Sequence, residues 1–223
     1  AFTDRTPIAS RHRLLTTVAW DRGDGLRYAL EGAVFTAGAV IQWLRDQLGL
    51  IVFATQSEEL ARSVPDSGGV VFVPAFTGLG APYWNPEVRG TLFGLTRGTT
   101  RAHLVRAALE SIAFQTRDLL EAMAADVGRL PDVLKADGGA AVNNFLLQFQ
   151  ADILHLPIER PAVIETTAFG AAALAGYQSG TLRMSEESTH HPAAEVFTPH
   201  MDPGKAEELY SRWRRAAETA GKW

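Results

Sequence analysis

A short β-prone run, Val133 to Ala136, leads straight into Asp137-Gly138-Gly139-Ala140-Ala141, and a helix-forming run opening on Asn143-Asn144 follows. A strand that hands over to a helix across two glycines commits this part of the chain to an α/β layout. Glycines at the C-terminal end of a strand let backbone approach a ligand with no Cβ in the way. The helix start that follows exposes free N–H groups at the positive end of the helix dipole. Asn143 and Asn144 add amide donors and acceptors at the same place. The same pattern also serves as a tight strand-to-helix turn with an asparagine cap, so at this level ligand turn and plain turn both stand.

The rest of the chain repeats the alternation. Leu14 to Trp20 and Leu26 to Leu30 are β-rich runs joined by Asp21-Arg22-Gly23-Asp24-Gly25, which predicts a hairpin. Ala1 to Ser10 reads as a polar entry segment. Gly32 and Gly38 bracket a helix start, with Val40, Ile41, Leu44 and Leu48 on one face and Gly49 placed to end it. Val70 to Phe76 predicts a buried strand stopped at Pro74, and Thr91 to Leu95 a second short strand. Thr99 or Thr100 caps a helix carrying Leu104, Ala108, Ile112, Leu119, Met123 and Val127 at helical spacing. Helices are further predicted over Asn143–Leu154, Ala168–Gln178 and Lys205–Ala220, with a strand at Leu156–Glu159. Strands alternating with helices define an α/β layered domain.

Composition removes several function classes. With no cysteine there is no thiolate nucleophile and no sulfur-based zinc site. A formal charge of -4 argues against blanketing nucleic-acid phosphates. The sequence holds no apolar run long enough to span a bilayer, and reads as a soluble, cytoplasmic domain that contacts neither nucleic acid nor membrane. The lysines are Lys135, Lys205 and Lys222, none after a Gly-x-x-x-x-Gly run, so there is no P-loop. Gly78-Leu79-Gly80 begins like a dinucleotide fingerprint, but Tyr83 stands where the third glycine belongs. The histidines are scattered, and His190-His191 sits in a stretch that reads as a solvated loop, so no metal site is expected. Ser111 and Ser179 lack a nucleophile-elbow context. Glu31 and Glu110 read as helix-start or in-helix carboxylates with no catalytic signal.

The segment Pro74 to Trp84 combines glycines and prolines with Phe76, Tyr83 and Trp84. It is too apolar for idle surface. Either its aromatics fold back as a local mini-core, or they line an inter-domain cleft.

Taken together, these stretches resemble the C-terminal domain of the FGGY carbohydrate kinases. The resemblance is carried by Leu15-Thr16-Thr17, Tyr28 to Phe35, Gln42 to Asp46, Pro74 to Trp84, Arg89-Gly90 and Gly94 to Gly98. It continues through Leu109 to Ala113, Asp137 to Ala140, Asn143-Asn144-Phe145, Ala168 to Ala172, and the tail residues Phe197, Pro199, Tyr210 and Trp213. It covers nearly the whole chain, so residues 1–223 are expected to form that C-terminal, nucleotide-binding domain. Within the family, Gly80 to Trp84 resembles the members that phosphorylate glycerol.

The resemblance implies a ribonuclease-H-like α/β fold of the actin/hexokinase superfamily, a mixed sheet with flanking helices. It implies ATP and Mg²⁺ as cofactors, glycerol or a related polyol as acceptor, and a homo-oligomer. The family's nucleotide contacts fall on Gly38, Gln42, Gly139 and Asn143, with Gly138 close by. The catalytic base, a Gly-Thr-Gly phosphate turn and the N-terminal domain are expected upstream of Ala1. No catalytic residue or metal ligand is therefore assigned here, and this stretch alone is expected to be inactive. The core sheet is expected to lack strands, leaving an edge open to pairing. Two alternatives stay open: a family kinase for another polyol or sugar, and a non-catalytic nucleotide-binding or assembly module.

Overall fold

The structure, a computed structural model, describes residues 1–182 and 193–222; the predicted loop histidines His190-His191 lie outside the described residues. The chain opens on an antiparallel sheet of β1 (Phe2–Asp4), β2 (Leu15–Asp21) and β3 (Leu26–Glu31), in the order β1-β3-β2. The predicted hairpin is β2 with β3. Asp21 builds its turn by accepting from the N–H groups of Gly23 at 2.8 Å and Gly25 at 3.3 Å. The entry segment differs from its polar reading: Phe2–Asp4 pairs with β3, and Phe2 stacks on Trp20 at 4.8 Å. Glu31 ends β3 and starts no helix.

Next come α1 (Ala39–Asp46) and α2 (Gln56–Arg62). Val40, Ile41 and Leu44 are buried, but Leu48 falls past the end of α1 and is 46% exposed. Periodicity does not reveal α2, because it buries only Ser57 and Ala61 and so carries no apolar stripe. β4 (Val71–Val73) stops before Pro74, which has no N–H to extend the ladder, and pairs antiparallel with β5 (Thr91–Phe93). After α3 (Arg101–Val127) come β6 (Leu134–Lys135), a 3₁₀ turn over Gly139–Val142, α4 (Asn144–Leu154), β7 (Ile158–Pro161), α5 (Thr166–Gln178), β8 (Ala193–Phe197) and α6 (Pro203–Ala220). In the third sheet β6 runs parallel to β7, and β8 runs antiparallel to β7. β8 escaped the sequence reading because only Val196 and Phe197 in it favour a strand. The outcome is a mixed α/β domain whose described strands form three small sheets with helices packed over them.

The 27-residue α3 is the central element. Thr100 caps it, and the Thr100 N–H donates to His103 Nδ1 at 3.0 Å, a capping box with His in the usual place of Glu or Gln. Gly128, at φ +87°, ends it in the left-handed conformation. Val105, Leu109 and Ala113 pack in the main core with α1, β4, α4 and α6. Two turns on, Leu120 joins Leu147 and Ile158, while Ala122 packs with Leu14 and Leu30 beneath the hairpin.

On its far half α3 carries a buried carboxylate. Asp118 accepts from the Tyr83 hydroxyl at 3.0 Å, the Tyr210 hydroxyl at 2.7 Å and Trp213 Nε1 at 2.8 Å. Burial nevertheless pushes its carboxyl up to about 6, outweighing hydrogen bonds that favour the anion. Tyr210 also lies 3.1 Å from Glu121 Oε2. The charge of the neighbouring Glu121 adds to the upward push on Asp118.

Since folding raises this carboxyl, the protonated form favours the folded state. Its contribution is complete below about pH 4 and is lost as pH climbs through about 6. Asp118→Asn removes the titration. Urea unfolding between pH 4 and pH 7 should show the wild type losing about 2–3 kcal/mol relative to the variant; parallel curves would contradict the assignment.

Candidate functional site

The glycine turn is built by its backbone. The Ala136 N–H donates to Glu159 O at 2.9 Å, extending the β6–β7 ladder, and the Gly138 N–H donates to Ile164 O at 2.9 Å. Gly138 then adopts φ +78° and ψ 179°, a conformation essentially reserved for glycine, and Gly139 begins the 3₁₀ turn. No atom lies within 4 Å of the place a Cβ would take on either glycine.

The open space beside Gly139 belongs to a cavity of about 650 Å³, a size suited to a small-molecule ligand. Its walls are the start of α1, the start of α2, Leu109 and Ile112 of α3, and the glycine turn with Asn143. Of the residues singled out by sequence, Gly38, Gln42, Gly139 and Asn143 all line it. Gly38 precedes α1, and a Cβ there would sit 3.8 Å from that of Ala140, across the mouth of the turn. Gly138 does not line the cavity, but shapes the turn that does.

Asn143 is the N-cap of α4. Its Oδ1 accepts from the Leu146 N–H at 2.9 Å, while its Nδ2 donates to Ser57 Oγ at 3.2 Å. The neighbouring Asn144 N–H donates to Glu58 Oε2 at 2.9 Å. Sequence reasoning missed this wall of α2, although Thr55 three residues ahead of Glu58 has the spacing of a capping box. At the rim, Arg45 meets the exposed Asp46 in a two-pronged pair of 2.6 and 3.0 Å. That pairing raises the guanidinium above its ordinary value and lowers the carboxyl.

Behind the cavity, Arg106 Nε donates to Glu110 at 2.8 Å, and its Nη1 to the carbonyls of Ala61 at 3.2 Å and Val64 at 2.7 Å. The same guanidinium stands 5.0 Å from the Phe145 ring centre. Burial raises the Glu110 carboxyl, with Arg106 opposing. Glu110 is thus a structural ion-pair partner and lies outside the cavity.

The aromatic loop follows neither reading whole. Phe76 packs on Trp43 at 4.8 Å and on Phe72 at 6.1 Å, joining the main core with no mini-core of its own. Tyr83 also turns inward, to Asp118. Trp84 turns outward, donating Nε1 to Arg13 O at 2.6 Å and meeting the exposed Phe35 edge-on at 6.0 Å. Gly80 permits this path: a Cβ there would come within 2.1 Å of Ala33 O.

Among the described residues no three His, Cys, Asp or Glu side chains are grouped to hold a metal ion. No described helix is long and apolar enough to cross a membrane.

Comparison with known proteins bears on this cavity. Residues 1–179 match the family model of the FGGY family of carbohydrate kinases, C-terminal domain. A glycerol kinase of Symbiobacterium thermophilum is 56% identical over 217 residues, spanning 97% of this chain and 44% of that protein. A Plasmodium falciparum glycerol kinase, solved with ADP, superposes with a TM-score of 0.88 at 35% identity, covering 98% of this chain and 44% of that one. A ligand-bound xylulose kinase of Lactobacillus acidophilus gives 0.80 at 25% identity, covering 98% and 44%. The chain spans less than half the length of these relatives.

The two glycines should respond differently to substitution. Gly138→Ala forces a Cβ onto a strained backbone and should cost about 1–3 kcal/mol in chemical denaturation. Gly139→Ala meets open space and should change stability by no more than about 0.5 kcal/mol.

Proposed function

The chain belongs to the FGGY family of carbohydrate kinases, and on that premise we propose that residues 1–223 form the C-terminal, nucleotide-binding domain of an ATP-dependent glycerol kinase. The complete enzyme would move the terminal phosphoryl group of ATP to a glycerol hydroxyl, giving glycerol 3-phosphate. The observation that carries this reading is convergence. Gly38 with Gln42 and Gly139 with Asn143 come from two distant parts of the sequence, yet line one cavity of about 650 Å³.

The chemistry of the cavity fits a nucleotide. The glycine turn leaves backbone open to a bulky polar ligand, Leu109 and Ile112 give an apolar wall for a planar base, and Gln42 and Asn143 supply amides. Phosphoryl transfer needs positioning and charge stabilisation more than covalent chemistry from the protein. Magnesium would arrive with the nucleotide phosphates; the described residues offer no cluster of ligands for it, and none is assigned. The general base and most acceptor contacts would come from the part of the enzyme outside this stretch, which spans 44% of the Symbiobacterium relative. A cytoplasmic, homo-oligomeric enzyme belongs to the same reading.

Calorimetric titration with ADP tests the proposal. The chain should bind with a Kd on the order of 0.1–1 mM, weak because only part of the cleft is supplied. Gly139→Val and Asn143→Ala should each weaken binding about tenfold or more. Glycerol phosphorylation by the chain alone should be undetectable, and clear turnover would overturn the division of roles. Preference of the complete enzyme for a pentulose over glycerol would move the acceptor to another sugar.

A further inference from the structure

The wall contributed by α2 has a feature that the nucleotide reading leaves unused. A helix start facing a cavity ordinarily offers its free N–H groups to an anion. At α4 two of them are already engaged. Asn143 Oδ1 takes the Leu146 N–H, and Glu58 Oε2 takes the Asn144 N–H at 2.9 Å. Glu58 is itself held by Arg62, whose Nε lies 3.0 Å from Oε1. Ser57 completes the arrangement. Buried and donating to Ala54 O at 2.6 Å, its hydroxyl receives Asn143 Nδ2 at 3.2 Å. Both carboxylate oxygens of Glu58 and both polar ends of the Asn143 amide therefore have partners inside the protein.

We propose that Ser57 and Glu58 form a clasp that positions Asn143 and the start of α4 for the nucleotide. In this clasp, the Glu58 carboxylate takes the anion position at the α4 N-terminus and so reserves this side of the cavity for the uncharged nucleoside part. Glu58 and Ser57 are positioning residues: they act through Asn143 and the Asn144 N–H. The side-chain amide of Asn143 is spent on the clasp and the cap, and its backbone N–H and C=O are bonded to Ala140 O and the Leu147 N–H, leaving one Nδ2 hydrogen to face the ligand. This inference rests on the nucleotide reading of the cavity, but the clasp also has a signature that needs no ligand.

Two measurements on the chain separate the cases. The first is amide hydrogen exchange of the peptide spanning residues 139–147 without nucleotide, in wild type, Glu58→Ala and Glu58→Gln. The second is titration of the same proteins with ADP and with adenosine. Glu58→Gln keeps an oxygen for the Asn144 N–H and loses the charge. Faster exchange in Glu58→Ala, restored by Glu58→Gln, is expected, together with about tenfold weaker adenosine binding in Glu58→Ala alone. Ser57→Ala should weaken both ligands by a smaller factor.

Unchanged exchange in Glu58→Ala would overturn the clasp, whatever the ligand does. Faster exchange with adenosine affinity within twofold of wild type would overturn the positioning role. A wild-type chain that binds neither ligand at millimolar concentration, while Glu58→Ala still loosens the turn, would bring down the nucleotide reading itself and the positioning role with it. An ADP affinity raised at least tenfold by Glu58→Gln with adenosine unaffected would show phosphate competing for the α4 start, which overturns the reservation of that side.

Discussion

A carboxylate taken out of water has to find donors or give up its charge, and Asp118 does some of each. Its three partners come from two elements: Tyr83 from the aromatic loop, and Tyr210 and Trp213 from successive turns of α6. No apolar contact would set these elements in register so strictly, because a hydrogen bond fails over fractions of an ångström where packing yields. Trp213 is fully buried against Phe114, stacked at 5.6 Å, so the polar anchor and the aromatic core are two sides of one contact between α3 and α6. Leaving any of these donors without Asp118 would strand a buried polar group, at about 1–3 kcal/mol each. The outward turn of Trp84 follows from this, since its neighbour Tyr83 is committed inward.

The cavity depends on a second buried charge in the same helix. Arg106 spreads one guanidinium over Glu110, two carbonyls at the end of α2 and the face of Phe145. A lysine in its place would offer a point charge without that planar reach. Arg106 holds the C-terminal end of α2 to α3, and Ser57 and Glu58 hold its first turn to α4. The helix itself is too short and too polar to stay in place by propensity or burial. The cavity wall exists because its ends are tied.

What was legible in the sequence was local. The hairpin follows from an aspartate able to accept from two glycine N–H groups within four residues. The start of α3 follows from Thr99 or Thr100 and its run from the helical spacing of Leu104 to Val127, and the glycine turn from the handover of strand to helix; its stop at Gly128 was not read. Gly139 and Asn143 stood out in the turn itself, Gly38 and Gln42 were named from family resemblance, and the fold brings all four to one cavity. What escaped was carried by distant partners. Phe2 looks like part of a polar tail until Trp20 is beside it. Glu58 looks like any helix-surface acid until the Asn144 N–H, 86 residues away, is placed against it. Periodicity reports the face a helix buries, and α2 buries almost none.

The three apolar clusters share α3, with Val105 to Phe114 in one, Leu120 in the next and Ala122 in the third. Loosening any of them withdraws packing from a helix on which the other two also rest. The hairpin, the cavity and the third sheet are thus joined through one rod, and a ligand that tightens the cavity steadies the same helix that carries the hairpin.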